Sequence, residues 1–190
     1  MYSRHGGAAP DLDYPQRLKS FFSAVQALSA RGLVLAYHDR SDGGLLATIC
    51  EMMFAGRLGA SMVMSGSERD ILGQLFSEEL GAVIQVADSN VAEVHAVLEA
   101  HGAGWVDLGD VEADEQLTIY HDDEVLLRLD RTRLQRAWSE TTFHMQSLRD
   151  NPETARQEYD RLLDADDPGL TVALTFDPEE NIAASFVGGA

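Results

Sequence analysis

The seven residues His38-Asp39-Arg40-Ser41-Asp42-Gly43-Gly44 set two carboxylates, a guanidinium, a hydroxyl and two glycines side by side. Glycines let a backbone approach a ligand closely. The first N–H groups of a following helix lack intrahelical partners and favour negative charge. The pattern can therefore hold an anion. Asp39 and Asp42 would repel a phosphate unless a divalent cation lay between them. Mg²⁺, usually held by one or two carboxylates plus phosphate oxygens, suits that place. Asp39 is the better ligand candidate, and Asp42 stands where a helix N-cap belongs. A plainer reading is the commoner one on spacing alone: Asp-Gly-Gly after a strand is often only a turn, with the aspartate capping the next helix. No Gly-Lys-Ser/Thr follows and no G-x-G-x-x-G is present, so neither of those phosphate loops is encoded.

The elements on either side decide how such a turn is held. Residues 33–37 form a short apolar run that predicts a buried strand. Residues 45–54 are apolar on nearly every side, through Leu45, Leu46, Ile49, Cys50, Met52, Met53 and Phe54, which predicts a buried helix. Before them, Pro15 suits a first helical turn, Leu18, Phe21, Phe22, Val25 and Leu28 recur at helical spacing, and Gly32 ends the helix. After them come a strand at 60–64, an amphipathic helix at 68–78 with Ile71, Leu72, Leu75 and Phe76 inward, and a strand at 82–86. A helix marked by Val91, Val94, Val97 and Leu98 follows, with N-caps offered by Asp88, Ser89 and Asn90. Residues 105–111 read as a further strand, and 116–120 and 124–129 as a hairpin across Asp122-Asp123. The order predicts an α/β (α+β) sandwich, a mixed sheet with helices on one side. From residue 131 the pattern changes to a long helix with Leu134, Trp138, Thr142, Met145 and Leu148 on one face. A break at Asn151-Pro152, a charged helix and a last strand at 171–176 complete it. The expected division is a disordered leader at 1–14, a domain at 15–130 and a helical appendage at 131–190.

The chain of 190 residues carries 32 Asp and Glu against 14 Lys and Arg, a net charge of −18. That argues against binding to nucleic acid, which needs basic patches, and to an anionic membrane surface. No apolar run approaches a membrane span. The single Cys50 rules out an internal disulfide framework, fits a reducing compartment and reads as packing. The six histidines form no zinc spacing. His144, near Trp138 and Thr141 on one helix, reads as a structural hydrogen-bonding residue, and Glu78-Glu79 as a solvated helix end. No G-x-S-x-G is present, so a hydrolase elbow has no support.

Ala36-Tyr37-His38-Asp39-Arg40-Ser41-Asp42-Gly43-Gly44-Leu45, followed by E-M-x-F-A-G at 51–56, closely resembles the large, single-chain form of phosphoribosylformylglycinamidine synthase. The stretches FSEELGAVIQV at 76–86, WSETT at 138–142, QSLRDNPE at 146–153 and DDPGL at 166–170 carry the same resemblance. It runs from about the first helix to the last residues.

The resemblance implies a ferredoxin-like sandwich, the C-terminal half of an aminoimidazole-ribonucleotide-synthetase-type module, and specifically the second such module of that enzyme. Enzymes of this family convert formylglycinamide ribonucleotide to its amidine in purine biosynthesis, with ATP and glutamine-derived ammonia, in the cytoplasm. Carried over by motif, Asp39 matches a Mg²⁺ ligand and Ser41 a residue contacting the bound ATP or ADP, with Gly43 and Gly44 completing the nucleotide-binding turn. No catalytic residue is carried over. Arg40 is expected to offset the two carboxylates. The glutaminase domain and the N-terminal half-domains of the family enzyme are absent from these residues, and Cys50 is not the glutaminase nucleophile. The resemblance thus implies a fragment whose partners are the remaining domains of the synthase, inactive by itself, binding Mg·ADP weakly or not at all, and able to self-associate through the appendage. The alternative from another class is a free-standing ferredoxin-like binding or regulatory module without catalysis.

Overall fold

The computed structural model describes residues 12–164, 167–170 and 172–180. Most of the expected leader, residues 1–11, lies outside them. Six helices and six strands follow one another among the described residues: α1 (Pro15–Ala30), β1 (Ala36–Asp39), α2 (Gly44–Gly56), β2 (Gly59–Met64), α3 (Glu68–Phe76), β3 (Ala82–Gln85), α4 (Val91–Ala100), β4 (Gly109–Glu112), β5 (Gln116–His121), β6 (Glu124–Asp130), α5 (Arg131–Arg149) and α6 (Pro152–Arg161). The α/β class is as expected. The strands divide into a two-stranded antiparallel sheet, β1-β3, and a four-stranded mixed sheet in the order β4-β2-β5-β6. In the larger sheet only β2 and β5 run parallel.

Each sheet has its own core. Met62, Met64, Leu117 and Ile119 of the larger sheet pack with Leu45, Ile49, Cys50 and Met53 of α2 and Ile71 and Leu75 of α3. Burying side chains such as Ile49 or Met53 contributes about 2 kcal/mol each. Ala24 and Leu28 of α1, Leu33, and Val94, Val97 and Leu98 of α4 form the second core, against Ile84 and Val86. The turn after β1 is where the chain passes from the second core into the first.

Several expectations shift. The first strand is Ala36–Asp39, displaced from 33–37, because Leu33 is drawn into the second core. The strand expected at 105–111 is confined to Gly109–Glu112, where pairing with β2 is available. Phe22 and Leu18 on α1, and Leu72 and Phe76 on α3, are exposed, because each helix buries only a narrow stripe. Asp88–Asn90 form a 3-10 turn and cap α4 with no side chain. His144 is exposed and 4.0 Å from Glu140, with no bond to Trp138 or Thr141. Thr171 lies outside the described residues, and 172–176 form no strand.

α5 and α6 pack as a hairpin. Phe143 and Tyr159 stack with centroids 4.5 Å apart, and the Arg136 guanidinium lies 3.7 Å over the Tyr159 ring. The start of α5 is locked by the buried Arg131, whose guanidinium donates to Glu115 Oε2 at 2.8 Å and 2.6 Å and to Gln135 Oε1 at 2.6 Å.

Candidate functional site

β1 ends at Asp39, paired with Ala82 of β3. The Asp39 carboxylate Oδ1 accepts a hydrogen bond from the Tyr37 hydroxyl at 2.5 Å, the two residues sharing one face of the strand. Partial burial, and then the carboxylate it donates to, push the Tyr37 phenol up to about 12, so it stays a donor. The Asp39 carbonyl is held too. His38 Nδ1 lies 2.7 Å from it, and the buried Thr48 hydroxyl lies 3.3 Å from it and 3.0 Å from the Gly44 carbonyl.

The turn that follows is shaped by residues 76–81. The Arg40 N–H donates to the Gly81 carbonyl at 2.9 Å. The Arg40 guanidinium donates to the Glu79 carbonyl at 2.6 Å and reaches Leu80 at 3.5 Å. Arg40 therefore clamps backbone carbonyls of the crossing segment, and the expectation that it offsets Asp39 and Asp42 is replaced. Gly43 has φ +84° and Gly44 φ +69°, a conformation that side chains rarely adopt. A Cβ on Gly44 would lie 2.7 Å from the Phe76 carbonyl carbon, so the absent side chain admits the end of α3.

The N-cap of α2 is Gly43, with no side-chain cap, and Asp42 does not fill that position. The N-cap residue's own N–H is taken from outside the helix: the Gly43 N–H donates to Glu78 Oε1 at 3.0 Å, and Glu78 and Glu79 are both exposed, as expected of a solvated pair. The Gly44 N–H donates to the Ser41 carbonyl at 3.0 Å. Both glycine N–H groups are thus engaged within the protein, and Asp39 and Ser41 are the turn's exposed candidates.

Glu51, about two turns into the apolar helix, joins two further residues. Its Oε2 lies 2.8 Å from His38 Nε2, and its Oε1 accepts from the Trp138 indole N–H at 2.9 Å. Phe54 meets the Trp138 ring edge-on, centroids 5.9 Å apart. Glu51 and Trp138 went unremarked as partners in the sequence, although both lie within the motifs E-M-x-F-A-G and W-S-E-T-T. An open groove of about 630 Å³ beside the turn is lined by Arg40, Arg69, Gln74 and Glu79, among others. Among the described residues no three His, Cys, Asp or Glu side chains converge as a metal cage. Asp39 offers one carboxylate, which suits Mg²⁺ bound chiefly through phosphate oxygens and does not suit an all-protein site.

Residues 2–122 match the family described as AIR synthase related protein, C-terminal domain. The chain belongs to that family. Among solved structures, the AIR synthase-related fold is shared with Thermotoga maritima PurL complexed with ATP, at TM-score 0.57 and 18% identity over 68% of this chain and 24% of that one. It is shared likewise with phosphoribosylformylglycinamidine synthase II from Thermotoga maritima, at TM-score 0.57 and 18% identity over 67% and 24%. PurL from the same organism complexed with FGAR matches at TM-score 0.54 and 21% identity over 61% and 20%. At these identities the likeness is one of fold. The chain spans between 20% and 24% of the length of these proteins. No helix among its described residues is long and apolar enough to cross a membrane.

Proposed function

We propose that this AIR synthase-related domain is one part of a phosphoribosylformylglycinamidine synthase of the large, single-chain type, and that its turn contributes to a Mg·ATP or Mg·ADP site. Asp39 is the Mg²⁺ ligand, and Ser41 is the nucleotide contact. The observation that carries the reading is the presentation of these two exposed side chains on a turn fixed from all sides by Tyr37, Thr48, Arg40 and Glu78. Mg²⁺, when bound, neutralises phosphate oxygens that the acidic turn would otherwise repel. The chain's own part is positional: Tyr37 orients the Asp39 carboxylate, and Gly43 and Gly44 let α3 and the 76–81 segment close against the turn. The carboxylate and hydroxyl are too few to bind nucleotide tightly, so the other ligands come from the remaining domains of the synthase.

Two measurements test this. An antibody raised against residues 150–170, used on a denaturing blot of source-cell lysate, should reveal a polypeptide several times this chain's size. A band at the size of this chain would mean a free-standing module and end the ligase reading. In the large polypeptide, Asp39→Asn should lower Mg²⁺-dependent nucleotide binding at least tenfold. Unchanged nucleotide affinity in Asp39→Asn would remove the metal role.

A further inference from the structure

We infer that Glu51 is a positioning residue that couples the docking of α5 to the Asp39–Ser41 turn. The geometry is a continuous chain of polar contacts. Trp138, on α5, donates its indole N–H to Glu51 Oε1 at 2.9 Å. Glu51 Oε2 holds His38 Nε2 at 2.8 Å. The other ring nitrogen of His38 lies 2.7 Å from the Asp39 carbonyl oxygen. One carboxylate therefore ties a helix of the appendage to the backbone of the residue that ends β1.

The placement is unusual for each member. Glu51 stands on a helix whose Leu45, Ile49, Cys50 and Met53 are buried, and it is itself only half-buried. Trp138 is 59% exposed, yet its N–H is bonded and its ring edge meets Phe54. Its contact with α2 is thus specific rather than a general burial. A half-buried, charge-assisted bond is stronger than a neutral one and fixes direction as well as distance. A shift of α5 along α2 would pull Glu51, rotate His38 and displace the Asp39 carbonyl, which Thr48 shares. The appendage is then a functional extension of the turn. The purpose of the coupling rests on reading Asp39 and Ser41 as a nucleotide turn, whereas the coupling itself rests only on these contacts.

The test uses nuclear magnetic resonance on the full 190-residue chain. Trp138→Phe keeps a ring against Phe54 and removes the N–H. It should move the His38 ring nitrogen signals and the Asp39 and Ser41 amide signals, and the same substitution in a Glu51→Ala background should move none of them. Where Glu51→Ala does not fold, Glu51→Gln keeps the shape and should shrink the transmitted shifts. A merely structural Trp138 would change the unfolding midpoint without this dependence on Glu51. The inference is overturned if Trp138→Phe leaves His38 and Asp39 unmoved, or if it moves them equally without the Glu51 carboxylate. The Asp39→Asn binding measurement in the large polypeptide separates the two claims: unchanged nucleotide affinity there, with the Trp138 effect intact in this chain, sinks the nucleotide reading and leaves the coupling standing.

Discussion

At the scale of single residues, the turn depends on what its glycines lack. Gly44 combines φ +69° with the end of α3 where a Cβ would go. Gly44→Ala must strain the backbone and push against main-chain atoms of Leu75 and Phe76. It should cost about 2–3 kcal/mol of stability in urea unfolding, where a surface glycine such as Gly73, with open space around its Cβ position, should tolerate alanine. A second prediction concerns pH. Burial, and then the neighbouring Glu51, push the Cys50 thiol up to about 11, and Tyr37 is pushed up to about 12. Both groups hold their protons longer folded than unfolded, where thiols and phenols titrate near about 8.5 and 10. Their contribution to stability is therefore full below the unfolded values and is lost as pH rises through about 11–12. The unfolding midpoint should fall over that range, less so in Tyr37→Phe, and Cys50 should resist alkylation at pH 8 until denaturant is added. A flat midpoint from pH 9 to 12 would contradict the assignment. Asp39 at a strand end was legible in the sequence because strand, polar turn and apolar helix are local patterns. Its fixation was not, because Glu78 reaches Gly43 across 35 positions and Trp138 reaches Glu51 across 87.

At the scale of elements, local chemistry explains which boundaries could be read. Asp122 and Asp123 both have positive φ and join paired residues His121 and Glu124, the geometry a two-residue hairpin demands. Alternation plus that dipeptide made the hairpin legible. Pro15, Gly32 and Asn151-Pro152 likewise mark the ends of α1 and the start of α6 where expected. The faces of α1 and α3 were less legible. Periodicity reports which side chains are apolar, not which of them find a neighbour, and Phe22, Leu72 and Phe76 find none among the described residues sufficient to bury them. The split of the strands into two sheets also escapes a reading by pattern, because pairing partners are set by tertiary closure. The start of α6 gives a clean prediction. Asn151 Oδ1 accepts from the Glu153 N–H at 2.9 Å and more weakly from the Thr154 N–H at 3.4 Å. Asn151→Ala should cost about 1 kcal/mol and raise amide exchange within α6, with α2 unaffected. Unaltered exchange in α6 would show that packing on α5 alone holds it.

At the scale of the whole molecule, the surface is as informative as the cores. Trp138 is 59% exposed, Met145 67% and Leu148 90%, three large apolar residues on α5. Tyr14, Leu18 and Phe22 open a second row on and just before α1, at 61%, 43% and 62%. Single exposed apolar residues need no explanation, but rows of them mark surfaces that are covered in a working assembly. Under the proposed reading as one part of a larger synthase, such rows would face the rest of that protein. Net charge acts in the opposite direction: −18 on 190 residues keeps copies apart at low salt. The two effects separate with ionic strength, because salt screens repulsion between exposed charges beyond about 10 Å at 0.1 M and leaves apolar contact intact. The isolated chain should therefore scatter light as a monomer in dilute buffer and associate as salt and concentration rise. Met145→Glu with Leu148→Glu should abolish the association. Neither residue is buried, so the unfolding midpoint should hardly move. Association that persists in the double variant would shift the adhesive surface to the α1 row, where Phe22→Glu is the matching probe. A chain that stays monomeric at every salt concentration and binds no hydrophobic dye would mean that these rows need no cover, and the argument for a missing remainder of the protein would lose its support from the surface.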